Sequence, residues 1–185
     1  MSRYDSDLHH RRSVRLPGHD YSQAGVYFLT ICAAERLCFF GEILGDVMSL
    51  SDEGRIVKEE WQRTAEVQPN VVWDAFVVMP NHMHGILIIT APARGVSQYA
   101  PTTSNHILRS PSQTVGAIVR GFKAATTKRV NILWDTISVL VWQRNYYEHI
   151  VRHDDDLDRI RRYIANNPLR WALDRLHPDN MPTQP

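Results

Sequence analysis

The chain has 185 residues, of which 43% are hydrophobic and 22% charged, a length and composition that allow one globular domain with a buried core. Its net charge of +1 gives no general attraction to nucleic acids, so a nucleic-acid surface would require local clusters of Lys and Arg. The two cysteines exclude a disulfide framework and a four-thiolate zinc site. The basic N-terminal stretch is no signal peptide and no apolar run is long enough to span a bilayer, which predicts a soluble, cytoplasmic protein without membrane contact.

Changes in composition divide the chain into three parts. Residues 1 to 20 are predicted to form a basic arm, 21 to 171 a single domain, and 172 to 185 a C-terminal tail. Within the domain, residues 91 to 113 are rich in Pro, Ser, Thr, Asn and Gly without periodicity, which indicates an inserted loop. Three arginines of the arm are candidate contacts to phosphate groups: Arg11, Arg12 and Arg15.

The domain begins with a predicted strand and a predicted helix. Aromatic and β-branched residues favour a strand from about Val26 to Ala33, followed by a loop and a short apolar segment that ends near Ile43. Ser51 is the expected N-cap of a helix with one buried face. Four apolar residues recur at helical spacing on that face: Ile56, Val57, Trp61 and Ala65.

Two histidines lie between apolar runs in "AFVVMPNHMHGILIIT", residues 75 to 90. The runs predict two antiparallel strands joined around Asn81. Alternate side chains of a strand point to one face, so His82 and His84 would project side by side. Two neutral imidazoles in that arrangement can share a metal ion or bind a phosphate together. The spacing is equally compatible with a turn at residues 80 and 81 that has two polar residues at its edge.

A second predicted helix, in "TVGAIVRGFKAATTKRVN", combines an apolar stripe with basic residues. The stripe consists of Val115, Ile118, Val119, Phe122 and Ala125. The basic residues are Arg120, Lys123, Lys128 and Arg129, which could contact DNA phosphates or form an ordinary solvated face.

The last predicted elements are a strand or hairpin in "TISVLVWQRNYYEHIVR" and a third helix in "DDDLDRIRRYIANNP". Three aspartates at 154 to 156 suit the positive end of the helix dipole, and Pro168 is expected to end the helix. The order of strands and helices predicts an α+β fold with a ferredoxin-like, mainly antiparallel central sheet and helices packed on one of its faces.

The third helix presents a phenol and an amide on one side. Leu157, Ile160 and Ile164 form its buried stripe, with Tyr163 at the edge of the stripe. Asn167 lies four residues after Tyr163, although Asn166, at three residues, is also close to that face. Such a tyrosine can be a nucleophile, or a core residue with a hydrogen-bonded hydroxyl.

Several of these stretches, in this order, resemble the REP-associated tyrosine transposases, a family of single-tyrosine HUH transposases. The resemblance extends over nearly the whole chain apart from 91 to 113 and the C-terminal tail. It is carried by "RRSVRLPGHDYSQAGVYFLTIC", "VVMPNHMHGILII", "VGAIVRGFKAATTKRVN" and "VWQRNYYEHIVRHDDDLDRIRRYIANNPLRW".

The resemblance implies a role for each matching residue. His82 and His84, on either side of Met83, correspond to the metal-binding pair, and Asn167 falls at the position of the third ligand. Tyr163 corresponds to the nucleophile. The implied fold is an antiparallel sheet that carries the histidines and a helix that brings the tyrosine over them.

The implied reaction is cleavage and rejoining of single-stranded DNA at palindromic hairpins, in the bacterial cytoplasm, through a 5′-phosphotyrosine intermediate. The implied cofactor is a divalent ion, Mg or Mn. Members of such families act as monomers or as homodimers, and the sequence leaves this choice open. His149 is a possible auxiliary residue, while Tyr146 and Tyr147 are rival nucleophiles that do not match the family position.

Two other functions remain open at this point. One is a non-catalytic, sequence-specific DNA-binding protein derived from the same fold. The other is a zinc hydrolase that uses His82, His84 and His149, which would bind zinc tightly and form no covalent adduct with DNA.

Overall fold

The computed structural model of the chain describes residues 24–90 and 114–180. The predicted arm with Arg11, Arg12 and Arg15, the predicted loop from 91 to 113 and residues 181 to 185 lie outside these described residues. In the described ranges, helices are too short or too polar to cross a membrane.

The described residues form both strands and helices, as an α+β fold requires. The elements are β1 (Gly25–Cys32), β2 (Gly41–Leu44), β3 (Val47–Leu50), α1 (Asp52–Val67), β4 (Val71–Met79), β5 (His82–Ile89), α2 (Val115–Leu133), β6 (Tyr147–Val151) and α3 (Asp154–Ala165), with 3₁₀ helices at Ala34–Arg36, Pro168–Leu173 and Pro178–Asn180.

The main sheet has four strands in the order β4-β5-β1-β6, and each neighbouring pair is antiparallel. α1 connects β1 to β4, and α2 connects β5 to β6. Two such β-α-β units in one antiparallel sheet define the ferredoxin-like arrangement. The predicted fold class is therefore confirmed. β5 has a partner on both sides, so its backbone hydrogen bonds fix the position of every side chain that it carries.

Helices cover both faces of the sheet, which corrects the prediction of helices on one face. α1 and α2 pack together over Tyr27, Leu29 and Met83, whereas α3 covers Phe28 and Ile86, which belong to a second apolar cluster. The reason is that β1 and β5 carry apolar side chains at both odd and even positions, so both faces have to be removed from water.

The α1/α2 face contains the larger core. Ser51 caps α1 as predicted, with its Oγ accepting from Gly54 N at 3.0 Å. Trp61 of α1 packs edge-on against Phe122 of α2, with ring centroids 5.4 Å apart. Gly85 of β5 allows this packing, because a Cβ there would lie 2.6 Å from the Trp61 ring.

The third helix is tied to both edge strands of the sheet by side-chain contacts, an ion pair on one side and a hydrogen bond on the other. Arg161 binds Asp74 of β4, with Nη2 at 2.5 Å from Oδ2. On the other side, His149 Nε2 of β6 lies 2.8 Å from Asp156 Oδ2 of α3. Together with the buried Ile160 and the other apolar residues of its stripe, these contacts set the rotation of α3 about its axis, and therefore the direction of Tyr163.

Two predicted segments differ from the structure. The apolar segment near Ile43 belongs to a separate hairpin of β2 and β3, whose turn uses positive φ angles at Gly45 and Asp46. Of the stretch predicted as a strand or hairpin, only Tyr147–Val151 forms a strand. Residues 134 to 146 instead form an irregular segment between α2 and β6. Its first part is held to the end of α2 by Asn131, which donates to the Val139 carbonyl oxygen and accepts from the Thr136 hydroxyl and the Val139 N–H.

Candidate active site

The two histidines occupy alternate positions of β5 and project to the face covered by α3. His82 lies opposite Cys32 and Met79, and His84 lies opposite Thr30 and Val77, in the registers of the neighbouring strands. The side chains are buried, with exposures of 0% for His82 and 3% for His84. Their placement on a central strand holds both imidazoles in a fixed relation to each other.

Asn81 determines which ring nitrogen of His82 carries the proton. Its Nδ2 donates to two backbone carbonyl oxygens, those of Arg36 at 3.1 Å and Leu176 at 2.7 Å. The Asn81 Oδ1 is thereby directed at His82 Nδ1, 2.8 Å away, and since this oxygen can only accept, Nδ1 carries the proton. The lone pair of His82 is therefore on Nε2.

His84 can exist in two tautomers in this environment. Its Nδ1 lies 2.8 Å from Thr30 Oγ1, and its Nε2 lies 3.1 Å from His82 Nε2. With the proton on Nε2, His84 donates to His82 and accepts from Thr30. With the proton on Nδ1, it donates to Thr30, and two bare Nε2 atoms face each other, ready to act as ligands.

Both imidazoles are neutral near pH 7. Burial, with a smaller contribution from the charge of Arg36, lowers the pKa of His82 to about 3. Burial is also the main reason why the pKa of His84 lies well below its ordinary value, with a further lowering by His82 that Asp174 opposes. A neutral imidazole offers a lone pair to a metal ion, so the electrostatics favour a ligand pair over a pair of cations.

Tyr163 comes within hydrogen-bond distance of this pair from α3. Its hydroxyl lies 3.1 Å from His84 Nε2, and its ring packs edge-on against Phe28, with centroids 6.0 Å apart. The tyrosine is 44% exposed, so it is reachable from solvent. Burial and the charge of Asp174 raise the pKa of Tyr163, while a hydrogen bond from Asn167 opposes the shift. The phenol is consequently protonated at neutral pH.

Asn167, one turn after Tyr163, is the amide that faces the site. Asn167 is buried, whereas Asn166 is exposed. The sequence did not decide which of these two amides faces the site, and the burial identifies Asn167. Asn167 Nδ2 lies 3.2 Å from Asp174 Oδ2. Among the described residues, no group makes a hydrogen bond to its buried Oδ1. A buried amide oxygen of this kind is an open acceptor or ligand position.

Asp174 joins the site without having been identified in the sequence. It follows the 3₁₀ helix Pro168–Leu173, and its Oδ1 accepts from the Leu176 N–H at 2.7 Å. One ligand atom from each of His82, His84 and Asp174 lies within 4.8 Å of the others. No local pattern marks this aspartate, because it reaches the histidines only through the path of the chain after α3.

These residues fit a divalent metal ion. Two nitrogen ligands at about 2.1 Å from one ion lie about 3 Å apart in adjacent octahedral positions, and the two Nε2 atoms here are 3.1 Å apart. The carboxylate of Asp174 and the open Oδ1 of Asn167 add oxygen ligands nearby. Nitrogen and oxygen donors in this mixture suit Mg, Mn and Zn ions.

His149 and the rival tyrosines take other positions. The His149 ring is engaged by Asp156 at the start of α3. Tyr146 packs against the α1/α2 core, with Lys123 Nζ 5.8 Å from its ring centroid. Tyr147 is exposed, and its ring centroid lies 6.4 Å from that of Phe28.

The basic residues predicted on α2 differ in whether their side chains are engaged in contacts within the protein. Lys123 Nζ donates to the carbonyl oxygens of Gln143 and Asn145, and burial lowers its pKa to about 8. Arg129 binds Glu59 and Glu60 of α1. Lys128 is exposed and, like Arg120, makes no ion pair among the residues that the structure describes. All four lie on the helix that covers the face opposite the histidines.

Comparison with known proteins agrees with the fold and places the chain among relatives. No family model matches it. It is 40% identical over 183 residues to an uncharacterized protein of Haemophilus influenzae, covering 96% of this chain and 99% of the relative. Among solved structures, a REP-associated tyrosine transposase bound to a REP hairpin is similar over 95% of this chain and 77% of its own, with a TM-score of 0.56 and 18% identity. The chain therefore belongs to one protein family with the Haemophilus influenzae protein, and its fold is that of the REP-associated tyrosine transposase.

Proposed function

We propose that the protein is a metal-dependent, single-strand DNA transposase and endonuclease that cleaves and rejoins DNA at hairpin sequences with Tyr163 as nucleophile. One observation carries the proposal. The Tyr163 hydroxyl lies 3.1 Å from an imidazole of a buried, neutral histidine pair that is suited to bind a divalent ion. A nucleophile beside a cation site is the arrangement that phosphoryl transfer requires.

The cleavage step follows from the position of Tyr163. Its oxygen forms a bond to the phosphorus of a phosphodiester while the bond from phosphorus to the 3′ oxygen breaks. The phenol gives up its proton, and the departing 3′ oxygen takes one up. The products are a 5′-phosphotyrosine on the enzyme and a free 3′-hydroxyl, and attack by a second 3′-hydroxyl reverses the step and joins strands without a nucleotide cofactor.

The neighbours of Tyr163 assist this step. Its pKa is raised by burial and by Asp174, so the phenol needs a group that stabilises its ionised form. The hydrogen bond from Asn167 provides part of this stabilisation. Phe28 packs against the rings of Tyr163 and His84 and holds the phenol over the histidine pair.

His82, His84 and Asp174 would hold the divalent ion, with the amide oxygen of Asn167 as the further ligand that the family resemblance implies. Bound there, Mg or Mn would polarise the scissile phosphate and stabilise the charge that develops on it. Asn81 and Thr30 hold the two imidazoles in the required orientation through hydrogen bonds to their Nδ1 atoms.

The substrate would be a DNA hairpin with single-stranded flanks, as the bound REP hairpin of the structurally similar transposase suggests. Exposed Lys128 and Arg120 remain candidate phosphate contacts, together with Arg11, Arg12 and Arg15 of the arm. Lys123 and Arg129 are weaker candidates, since both are engaged in contacts within the protein.

A covalent adduct tests the proposal. Labelled hairpin DNA with single-stranded flanks is incubated with the protein and Mn, and the products are separated on a denaturing gel. A protein-DNA band that is present in the wild type and in Tyr147→Phe but absent in Tyr163→Phe is the expected result. Hairpin binding without an adduct in any of these proteins would favour the non-catalytic DNA-binding alternative.

Asp174 gives one specific reason to consider the zinc hydrolase instead, because two histidines and an aspartate can form a three-ligand zinc site. His149 has no part in that site, since its ring binds Asp156. Tight, stoichiometric zinc together with hydrolysis in Tyr163→Phe would favour the hydrolase, whereas weak, exchangeable Mn and an adduct favour the transposase.

A further inference from the structure

Tyr147 lies in one row with a candidate metal ligand across three strands of the sheet. Thr30 of β1 is paired with His84 of β5 on one side and with Tyr147 of β6 on the other. The Thr30 hydroxyl lies 2.8 Å from His84 Nδ1, and residues paired across antiparallel strands point to the same face. Because neighbouring strands are about 4.8 Å apart, the backbone of Tyr147 is roughly 10 Å from that of His84. Tyr147 therefore belongs to the face of the sheet that carries the histidines.

The ring of Tyr147 contacts the same residue as the ring of the candidate nucleophile. Phe28 stacks on the ring of His84, with centroids 5.4 Å apart. Tyr163 and Tyr147 both pack against Phe28 in T-shaped contacts, with centroids 6.0 Å and 6.4 Å from its own. The two tyrosines thus border one buried group that consists of Phe28 and His84.

Tyr147 also offers an open aromatic surface at this place. It is 48% exposed, whereas Phe28 is 9% exposed. A T-shaped contact covers at most one face of a ring, so Phe28 leaves at least one face of Tyr147 uncovered. β6 is an edge strand of the sheet that residues 24–90 and 114–180 form, and no further strand of that sheet lies beyond it. A ligand that reaches the Tyr163 hydroxyl can therefore extend over the ring of Tyr147.

We propose that Tyr147 stacks on a nucleobase of the single DNA strand whose phosphodiester is attacked by Tyr163. This inference rests on the proposed function for the nature of the ligand. Every base has a π-face, and the unpaired bases of a single strand leave it open, so an exposed aromatic ring binds the strand whatever its sequence. Stacking on Tyr147 holds the strand in place while its phosphate lies at the nucleophile.

Two short single strands of equal length measure the stacking. One is an oligothymidylate, and the other is an abasic strand with tetrahydrofuran in place of each nucleoside. Both strands have the same phosphates, so the ratio of their affinities reports contacts to the bases alone. All proteins carry Tyr163→Phe, which prevents cleavage during the measurement.

Tyr147→Leu tests the role of the ring, because leucine is apolar but has no aromatic face. The ratio should fall about tenfold in this variant, through weaker binding of the oligothymidylate. Tyr147→Thr is a second variant without a ring and should give the same loss. Tyr147→Phe is the conservative variant, in which the ring and most of the ratio are kept. Urea unfolding checks that each variant is folded.

Trp73→Leu is the matched control. Trp73 is a 37% exposed aromatic residue of β4, the other edge strand, and it is paired with Leu87 of the α1/α2 core. This substitution removes a similar ring from the opposite face of the sheet, so the ratio should stay unchanged. A ratio in Tyr147→Leu within twofold of the parent protein overturns the inference. An equal loss in Trp73→Leu, or a parent protein that binds the oligothymidylate no more tightly than the abasic strand, overturns it as well.

Adduct formation separates this inference from the proposed function. In the protein with Tyr163 intact, Tyr147→Leu should raise the hairpin concentration for the half-maximal adduct rate about tenfold, with a maximal rate within about threefold of the wild type. If the wild type forms no adduct, the proposed reaction fails, but the affinity ratio still decides whether Tyr147 contacts a base. If the wild type forms an adduct and neither the ratio nor the half-maximal concentration changes in Tyr147→Leu, the reaction stands and the inference fails.

Discussion

Replacement of Asn81 by alanine should weaken metal binding and stability together, and both effects can be estimated from its contacts. Asn81 is fully buried and makes three hydrogen bonds, to the backbone of Arg36, the backbone of Leu176 and the ring of His82. In Asn81→Ala, two carbonyl oxygens and one imidazole N–H lose their partner in a site that is closed to water.

The cost follows from the number of groups left without a partner. Each buried polar group that loses its hydrogen bond costs about 1–3 kcal/mol. Allowing for some relaxation, the free energy of unfolding should fall by about 3 kcal/mol, which lowers the melting temperature by roughly 6–12 °C for a chain of this size. Because His82 also loses the acceptor that fixes its tautomer, the affinity for Mn should fall about 10- to 100-fold.

Asn131→Ala is the matched control for this experiment. Asn131 is also buried, and it makes four hydrogen bonds, but they bind the end of α2 and residues 136 to 139. The Asn131→Ala variant should therefore lose a similar amount of stability without any change in its affinity for Mn. Urea unfolding gives the stabilities, and electron paramagnetic resonance of free Mn gives the affinities at a temperature where both variants are folded.

One outcome in particular would contradict a role of Asn81 in metal binding. If Asn81→Ala loses stability as calculated but binds Mn within twofold of the wild type, the role of Asn81 is only to connect its own strand to the backbone of Arg36 and Leu176. It would then have no effect on His82 as a metal ligand. A parallel loss of affinity in Asn131→Ala would equally contradict it, since general loosening of the fold would then explain both results.

Three further predictions concern the buried histidine, the carboxylate and the packing of β5. Without metal, the free energy of unfolding should fall as the pH drops below about 6.5, by up to about 1.4 kcal/mol per pH unit for His82, because the pKa of His82 is about 3 in the folded state and only the unfolded chain takes up the proton. Urea unfolding in EDTA at several pH values measures this slope. An equally steep slope in His82→Gln would show that His82 is not the residue responsible. Asp174→Asn keeps the shape of the side chain but removes its charge, so the affinity for Mn should fall at least about tenfold, and an unchanged affinity would exclude Asp174 as a ligand. Gly85→Ala places a Cβ 2.6 Å from the ring of Trp61 and should cost about 1–3 kcal/mol of stability, whereas Gly121→Ala, on α2 with open space around it, should stabilise by about 1 kcal/mol; urea unfolding of both variants checks the sign of each change.

The parts of the site that the sequence predicted are those that depend on local periodicity. His82 and His84 share a face because a strand repeats every two residues, whatever surrounds it. Tyr163 lies beside the buried Ile160 and Ile164 because a helix repeats every 3.6 residues. The family resemblance implies their roles, and the structure brings the three side chains together, with His84 in contact with both others.

Asp174 could not be predicted in this way, because its proximity to His82 arises from distant parts of the chain. The chain brings Asp174 to the histidines through a 3₁₀ helix that follows α3. Outside strands and helices no periodicity indicates the direction in which a single side chain points. The same limit applies to Arg129, whose pairing with α1 depends on how the two helices pack.

The fold buries the candidate metal ligands and leaves the candidate nucleophile partly exposed, a difference that the proposed chemistry explains. His82 and His84 lie on a central strand with hydrogen-bonded neighbours on both sides, and they are almost completely buried. Tyr163 is 44% exposed on a helix that is bound to the edge strands by an ion pair, a hydrogen bond and a short apolar stripe. Ligands of a catalytic ion must keep their geometry to within a fraction of an ångström, whereas a tyrosine that carries a DNA strand needs open space around its hydroxyl. A rigid strand for the histidines and a partly exposed helix for the tyrosine meet both requirements in one α+β sheet.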